Sequence, residues 1–497
     1  MNLYEQLSDS IARHQDQNAF FVEGCYYTYQ ELGKRVSAIR EALTKRVPAE
    51  EKWIGLVGND DLDTYASILA LWFEGKAYVP LSPLAPLFRN QEMAGQAGLR
   101  TIIDSSDESL YTGYQVIKSN SLDASPVNLS VKPAAEEDLS YIIFTSGSTG
   151  APKGVRITIR GLASFMENFL AIGFELDETD RCLQMFELNF DLSVVSLLVP
   201  WLKGACVYTI PRNQIKYSYI FKLLDEFELT FAVMIPTVIR YLRPYFDEIN
   251  CEKFRYNLFC GEALMEDITT EWQSCVPNAK IYNVYGPTEG TVFCTHYLFR
   301  PGAESKSYNG IVSIGKFIPG SGAVIVDPDN GRIAAEGSKG ELYLGGPRLS
   351  PGYLDPEKTS QAFFVTNLEG QPERYYKTGD ICLQDRDGDY MYLGRADSQV
   401  KIQGYRVELS EVEYHVKAFL GKRNAVALAV TNAAGVTEMG LIIEGEKDDP
   451  AGLLAFLKSR VPPYMVPTRV IYEMKFPENA NGKTDKKELL KRLEQQV

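Results

Sequence analysis

Short apolar runs alternate with helical stretches through most of this chain, and that alternation limits its fold more than any other feature. "WIGLVG" (residues 53–58) and "KAYVPLS" (76–82) have the length and apolarity of buried strands, and "DTYASILALWFEG" (63–75) between them has the length of a helix. Strand, helix, strand is the unit of a parallel sheet covered by helices. The alternation continues through the strand-like "YIIFT" (141–145) and "RCLQMF" (181–186), the helical "YIFKLLDEF" (219–227) and the strand-like "FAVMIP" (231–236). Leu3, Leu7 and Ile11 recur at helical spacing in "MNLYEQLSDSIARH". Thr28 and Glu31 in "TYQEL" have the spacing of a capping box, and Leu32, Val36, Ile39 and Leu43 follow on one helix face.

From about Gly310 the texture changes. "AVIVDPDNGRIAAEGSKGELYLGG" alternates β-rich runs with turns, and Asn330-Gly331 is a hairpin signal. "DICLQDRDGDYMYLGR" reads as a second hairpin. After it come a helix ("ELSEVEYHVKAFL"), two strands ("AVALAV", "MGLIIEG") and a helix ("LLAFLKSRV"). A boundary near Arg395–Ser398 follows. The predicted class is α/β: a large domain over residues 1–396, built of α/β subdomains and a β-rich segment, and a small α+β domain over 397–497. No internal repeat or low-complexity tract interrupts this order.

Charge and cysteine content exclude several function classes. Lys and Arg number 51 against 65 Asp and Glu, a net charge of −14, which argues against a general nucleic-acid binder. The eight cysteines form no C-x-x-C pair and there are three histidines, so a zinc site is not expected. Scattered cysteines fit a reducing cytoplasm. The N-terminus lacks the pattern of a signal peptide. The longest apolar run, "VVSLLVPWL", is too short to span a membrane, so no membrane insertion is expected. "DRDGD" (385–389) lacks the further ligands of a calcium loop and reads as a solvated turn.

"FTSGSTGAPKGV" (144–155) carries the chemistry. It is neither a Walker A loop nor a nucleophile elbow. Thr145, Ser146, Gly147, Ser148, Thr149, Gly150 and Lys153 offer hydroxyls, glycine-freed amides and one cation, the donors a polyphosphate needs. In "NVYGPTEGTV" (283–292), Asn283 and Tyr285 suit an aromatic base, Gly286 opens a turn, Thr288 suits a phosphate oxygen and Glu289 suits magnesium. Asp380 in "YKTGD" suits ribose hydroxyls. Each of these last stretches, alone, is an ordinary loop.

Together the stretches are specific. "FTSGSTGAPKG", "NVYGPTEG", "YKTGD", "GRADSQVKIQGYRVELSEVE" and "NGKTDKKEL" occur in that order, and the chain resembles the acyl-adenylate-forming superfamily over nearly its whole length. The resemblance implies that a carboxylate attacks the α-phosphorus of ATP, with magnesium, giving an acyl-adenylate and pyrophosphate. A thiol then attacks the adenylate, giving a thioester and AMP. It also implies a mobile C-terminal domain hinged at Asp397. Lys483 matches the lysine that bridges carboxylate and α-phosphate, Arg395 a ribose-contacting arginine, and Gly404 a glycine lining the path of the thiol.

Asp191 in "LNFDLSVVS" matches the aspartate that holds the ammonium of amino-acid substrates; the bland reading is a helix cap. The remaining pocket positions implied are Leu192, Val195, Val233, Leu258, Cys260, Val284, Val292 and Phe293, none of them charged. A small apolar amino acid is therefore expected. "LFCGEAL" and "NFDLSV" resemble D-alanine–carrier protein ligases, which puts D-alanine first; Val195, Val284 and Phe293 depart from that group. The alternative is a stand-alone peptide-synthetase adenylation enzyme for another apolar amino acid. An acyl-CoA ligase is disfavoured by Asp191, and a non-catalytic nucleotide sensor by the full set of catalytic groups. No carrier domain follows Lys483, so a phosphopantetheinyl carrier protein in trans is the expected partner.

Overall fold

The computed structural model describes residues 2–147, 150–302, 304–367, 373–421, 423–477 and 484–495. These fall into two compact units. The first comprises Met1–Ser82, Ala94–Ile143 and Gly154–Ala396; the second comprises Pro83–Met93, Phe144–Lys153 and Asp397–Val497.

The first unit contains the parallel sheets that the alternation predicts. Strand Trp53–Val57, helix Leu62–Phe73 and strand Ala77–Leu81 form one crossover, and the two strands pair in parallel. They sit in a seven-stranded sheet with Thr101–Asp104, Gln115–Lys118, Leu139–Thr145, Lys153–Thr158 and Gly352–Tyr353. A nine-stranded sheet runs in parallel from Lys280–Tyr285 through Tyr256–Phe259, Phe231–Met234, Arg181–Gln184 and Cys206–Thr209 to Asn18–Val22. Helix Leu62–Phe73 is buried from Thr64 to Phe73, as a helix between sheets must be, and its apolar surface supplies much of the core. The Thr28–Glu31 capping box is formed, and helix Tyr29–Arg46 starts there.

The β-rich segment forms a sheet of Gly322–Val326, Gly340–Gly345, Glu373–Gln384, Phe363–Thr366 and Tyr390–Arg395. Gly331 takes a φ of +69°, in a turn where Val326 bridges Ile333; Val326 then pairs with Glu341, so the turn lies within a longer excursion. The "DRDGD" turn is not simply solvated. Lys306, about eighty residues upstream, donates to Asp385, Asp387 and Asp389 at 2.8, 2.7 and 2.6 Å.

The second unit has its own cores. Val407, Val412, Val416, Leu441, Leu453 and Leu457 belong to one, and Leu428, Ile442, Leu489 and Leu493 to another. They are built around the three-stranded sheet Ala425–Thr431, Thr437–Glu444, Arg469–Glu473 and helices Leu409–Leu420, Ala451–Lys458 and Lys486–Gln495. A ribbon, Gln399–Ile402 with Tyr405–Glu408, turns through Gln403 and Gly404, whose φ values are +50° and +81°. That is the two-residue hairpin geometry that favours glycine. No helix among the described residues is long and apolar enough to cross a membrane.

Candidate active site

Parallel strands aligned in register bring distant residues to a common edge, and open α/β sheets bind ligands beyond the carboxyl ends of their strands. Val233 pairs with Leu258, and Leu258 with Tyr282, so Val233, Leu258, Cys260 and Val284 lie toward the carboxyl ends of three neighbouring strands. The next strand, Arg181–Gln184, leads to Asp191 and helix Leu192–Lys203. Leu192, Val195, Val233, Leu258, Cys260, Val284 and Val292 are all buried.

Asp191 occupies the N-cap position of that helix but has helical φ and ψ, and its side chain makes no capping bond. The carboxylate is 6% exposed. Burial is the main reason that the hydroxyls of Tyr78 and Tyr141 and the thiol of Cys294 titrate high; the Asp191 charge adds to all three. The Asp191 charge is therefore felt by these buried groups, and the Arg348 charge acts on Cys294 in the opposite sense. Tyr141 adds a hydroxyl with no hydrogen-bond partner among the described residues, a group the sequence did not single out. Phe293 does not stand alone in the pocket. Its ring packs edge-on against Phe165 and Phe169 at 5.0 and 5.9 Å, so it belongs to the aromatic core.

The loop after strand Lys280–Tyr285 is tightly fixed. A Cβ at Gly286 would lie 2.4 Å from the Phe293 Cα, so only glycine fits. Thr291 and Val292 have φ values of +63° and +68°, a conformation that β-branched residues rarely adopt. Thr291 Oγ1 donates to the Arg348 carbonyl at 2.6 Å, the Cys294 amide to Tyr285 O at 2.7 Å and the Ser350 amide to Glu289 O at 2.8 Å. Such bonds hold the strained backbone in place. Arg348 itself is 2% exposed, another residue that the sequence did not single out.

Tyr285, Asp380 and Arg395 converge. The Tyr285 hydroxyl donates to Asp380 Oδ2 at 2.5 Å and Arg395 Nη1 to Asp380 Oδ1 at 2.7 Å. Burial, then the Asp380 charge, lifts the Tyr285 hydroxyl well above the ordinary phenol range. Asn283 donates both of its amide bonds to the Val312 and Ser313 carbonyls at 3.0 Å, so its nitrogen braces the next segment and is not available to a base. Thr288 is partly exposed beside Glu289, which is fully buried and accepts from the Tyr353 hydroxyl at 2.7 Å. No group of three or more metal-ligating side chains occurs among the described residues. One carboxylate of this kind fits an ion that takes its other ligands from phosphate and water, as magnesium does, and not a caged metal.

In the second unit, Ser146 is 4% exposed and hydrogen-bonded, Gly147 is buried, and Gly150 has a φ of +85°. The Thr145 hydroxyl is buried without a hydrogen-bond partner among the described residues, and Lys153 opens strand Lys153–Thr158. Asp397 Oδ1 accepts the Gln399 amide at 3.1 Å at the start of the ribbon that turns at Gly404. Ser148, Thr149 and Lys483 lie outside the described residues.

Residues 7–354 match the model of the AMP-binding enzyme family. The chain belongs to that family. Among curated relatives of this AMP-binding enzyme, a D-alanine–D-alanyl carrier protein ligase of Lactiplantibacillus plantarum is 32% identical over 98% of both chains. A plipastatin synthase of Bacillus subtilis is 30% identical over 92% of this chain and 13% of its own length. Among solved structures, the Vibrio cholerae adenylation domain AlmE, in complex with glycyl-adenosine-5'-phosphate, superposes with a TM-score of 0.86 at 25% identity, covering 99% of this chain and 97% of that one. The α/β class read from the sequence is thereby the fold of the adenylation domains.

Proposed function

We propose that this enzyme activates a small apolar amino acid, D-alanine first, with ATP and transfers it to the phosphopantetheine thiol of a separate carrier protein. The observation that carries this reading is Asp191: a buried carboxylate that heads a helix without capping it, among the apolar side chains of the proposed pocket. Burial strengthens the attraction of a carboxylate for a cation, and the α-ammonium of an amino acid is one. Full-length relatives named D-alanine–D-alanyl carrier protein ligase support D-alanine as the substrate.

In the first half-reaction the protein's work is positioning and charge neutralisation. Asp191 orients the ammonium and so aims the substrate carboxylate. Thr145 to Gly150, with Lys153 and Thr288, offer donors to the phosphates, and Lys483 bridges the reacting groups. Tyr285 and the Asp380–Arg395 pair hold the nucleoside, with Asp380 already oriented by two donors. Magnesium, when bound, neutralises phosphate charge; Glu289 is the residue to hold it. In the second half-reaction residues 397–497, hinged at Asp397, bring Gly404 to the thiol's path.

A peptide-synthetase adenylation role for another apolar amino acid is the second reading, favoured by the departure of Phe293 from the D-alanine group and by the synthase relative. Amino-acid-dependent ATP–pyrophosphate exchange across D- and L-amino acids separates the two. Exchange strongest with D-alanine, falling about 10²-fold or more in Asp191→Ala, is the expected result. A larger L-amino acid as best substrate selects the second reading, and no exchange with any amino acid rejects both.

A further inference from the structure

Residues Phe144–Lys153 share a compact unit with Pro83–Met93 and Asp397–Val497. Within it the glycine-rich segment meets a carboxylate supplied by the chain. Glu411, in the first turn of helix Leu409–Leu420, is fully buried. One of its oxygens pairs with Arg89, itself 6% exposed, and the other accepts the Gly147 amide at 3.2 Å. The neighbouring hydroxyl is held as well: Ser146 Oγ donates to Arg406 O at 2.8 Å and accepts the Glu408 amide at 3.1 Å. A Cβ at Gly150 would lie 2.5 Å from the Tyr414 ring, so the same helix also covers the end of the segment.

A glycine-freed amide directed at a buried carboxylate is an anion site whose anion is built in. A phosphate oxygen at the Gly147 amide would find its donor taken and a like charge alongside. The carboxylate cannot simply be stranded in place either, because a buried ion pair is costly to break from one side.

We infer that Glu411 is a positioning residue that stands in for a phosphate on the glycine-rich segment, so that the Glu411–Gly147 contact and phosphate binding at that amide exclude one another. The inference rests on the reading of the segment as the phosphate cradle. Glu411 then has opposite effects on the two half-reactions. It opposes nucleotide binding in the first, and in the second it takes the place that pyrophosphate leaves and opposes its return.

Glu411→Gln keeps the shape and removes the charge. The expected result is a KM for ATP about fivefold lower in the exchange reaction, and pyrophosphate inhibition of carrier loading at about fivefold lower concentration. Val412→Ala, which takes volume from the core on the same helix, is the structural control and should change neither. Unchanged values in Glu411→Gln, or equal changes in both variants, overturn the inference. An unreactive wild-type protein would instead reject the function proposed above. Hydrogen exchange on the unaltered chain gives an answer independent of turnover and of the variants' folding. Saturating tripolyphosphate should speed exchange of the Glu408 amide, which Ser146 holds. Unchanged protection there overturns the inference whatever the enzyme activates.

Discussion

The loop Gly286–Cys294 and the segment Phe144–Lys153 are both short, glycine-bearing and assigned here to the nucleotide, yet they are held in opposite ways. The first is fixed within its own unit: Gly286 against Phe293, Thr291 on the Arg348 carbonyl, Cys294 on Tyr285. Its shape is set by contacts within the chain itself. The second has its donors held by groups more than 250 residues away, Arg406, Glu408 and Glu411. Its bonds are of the kind a ligand can replace. An enzyme that must grip and then release gains from having one fixed binding element and one exchangeable one.

The largest expected effect comes from breaking the rigid loop. Gly286→Ala forces a main-chain shift and should lower ATP–pyrophosphate exchange by about 10²-fold or more. Parental exchange in that variant would mean the loop is as adaptable as its counterpart. A middling effect is expected at the exchangeable segment. Gly150→Ala sets a Cβ against the Tyr414 ring and should slow carrier loading by about tenfold, and adding Tyr414→Ala should recover part of the loss, since the ring is the nearest obstacle and only the φ strain would remain. No recovery in the double variant would assign the whole effect to the backbone.

The smallest is expected at Lys306, which belongs to neither. Lys306→Met leaves Asp385, Asp387 and Asp389 without their shared cation and should lower the melting midpoint near pH 6 by about 2 °C. Burial pushes the Asp385 carboxyl up, but the Lys306 bond and the turn amides outweigh it and hold its pKa below the usual value. A depressed folded pKa gives stability that is present above the unfolded value, about 4, and is lost as pH falls through the folded one. Melts from pH 6 to pH 2 should therefore show the gap between wild type and variant closing on acidification. A gap that stays constant would show that the lysine acts by packing and not by charge.

Local physics was legible in the sequence, and long-range physics was not. The Thr28–Glu31 capping box, helix Leu62–Phe73 and its flanking strands depend on residues a few positions apart, and pattern alone placed them. Asp385–Asp389 looked like a solvated turn because its partner, Lys306, is remote. Asn283 looked free to read a base because the carbonyls that occupy its amide, Val312 and Ser313, lie beyond the next strand. Glu411 was within a quoted motif, but nothing local marks one helical glutamate as a partner for Gly147. Asp191 is a mixed case: its position at the helix start was readable, whereas the missing cap bond needed coordinates.

Thr291 and Val292 carry a wider consequence. Two successive β-branched residues in the left-handed region make this stretch less comfortable than glycine would be, so what keeps them is their task and not the fold's own preference. If Val292 lines the substrate pocket as proposed, a selection for heat resistance alone would relax that pair early and blur the choice of substrate while the protein grew sturdier. In this chain, durability and discernment pull on the same two peptide units.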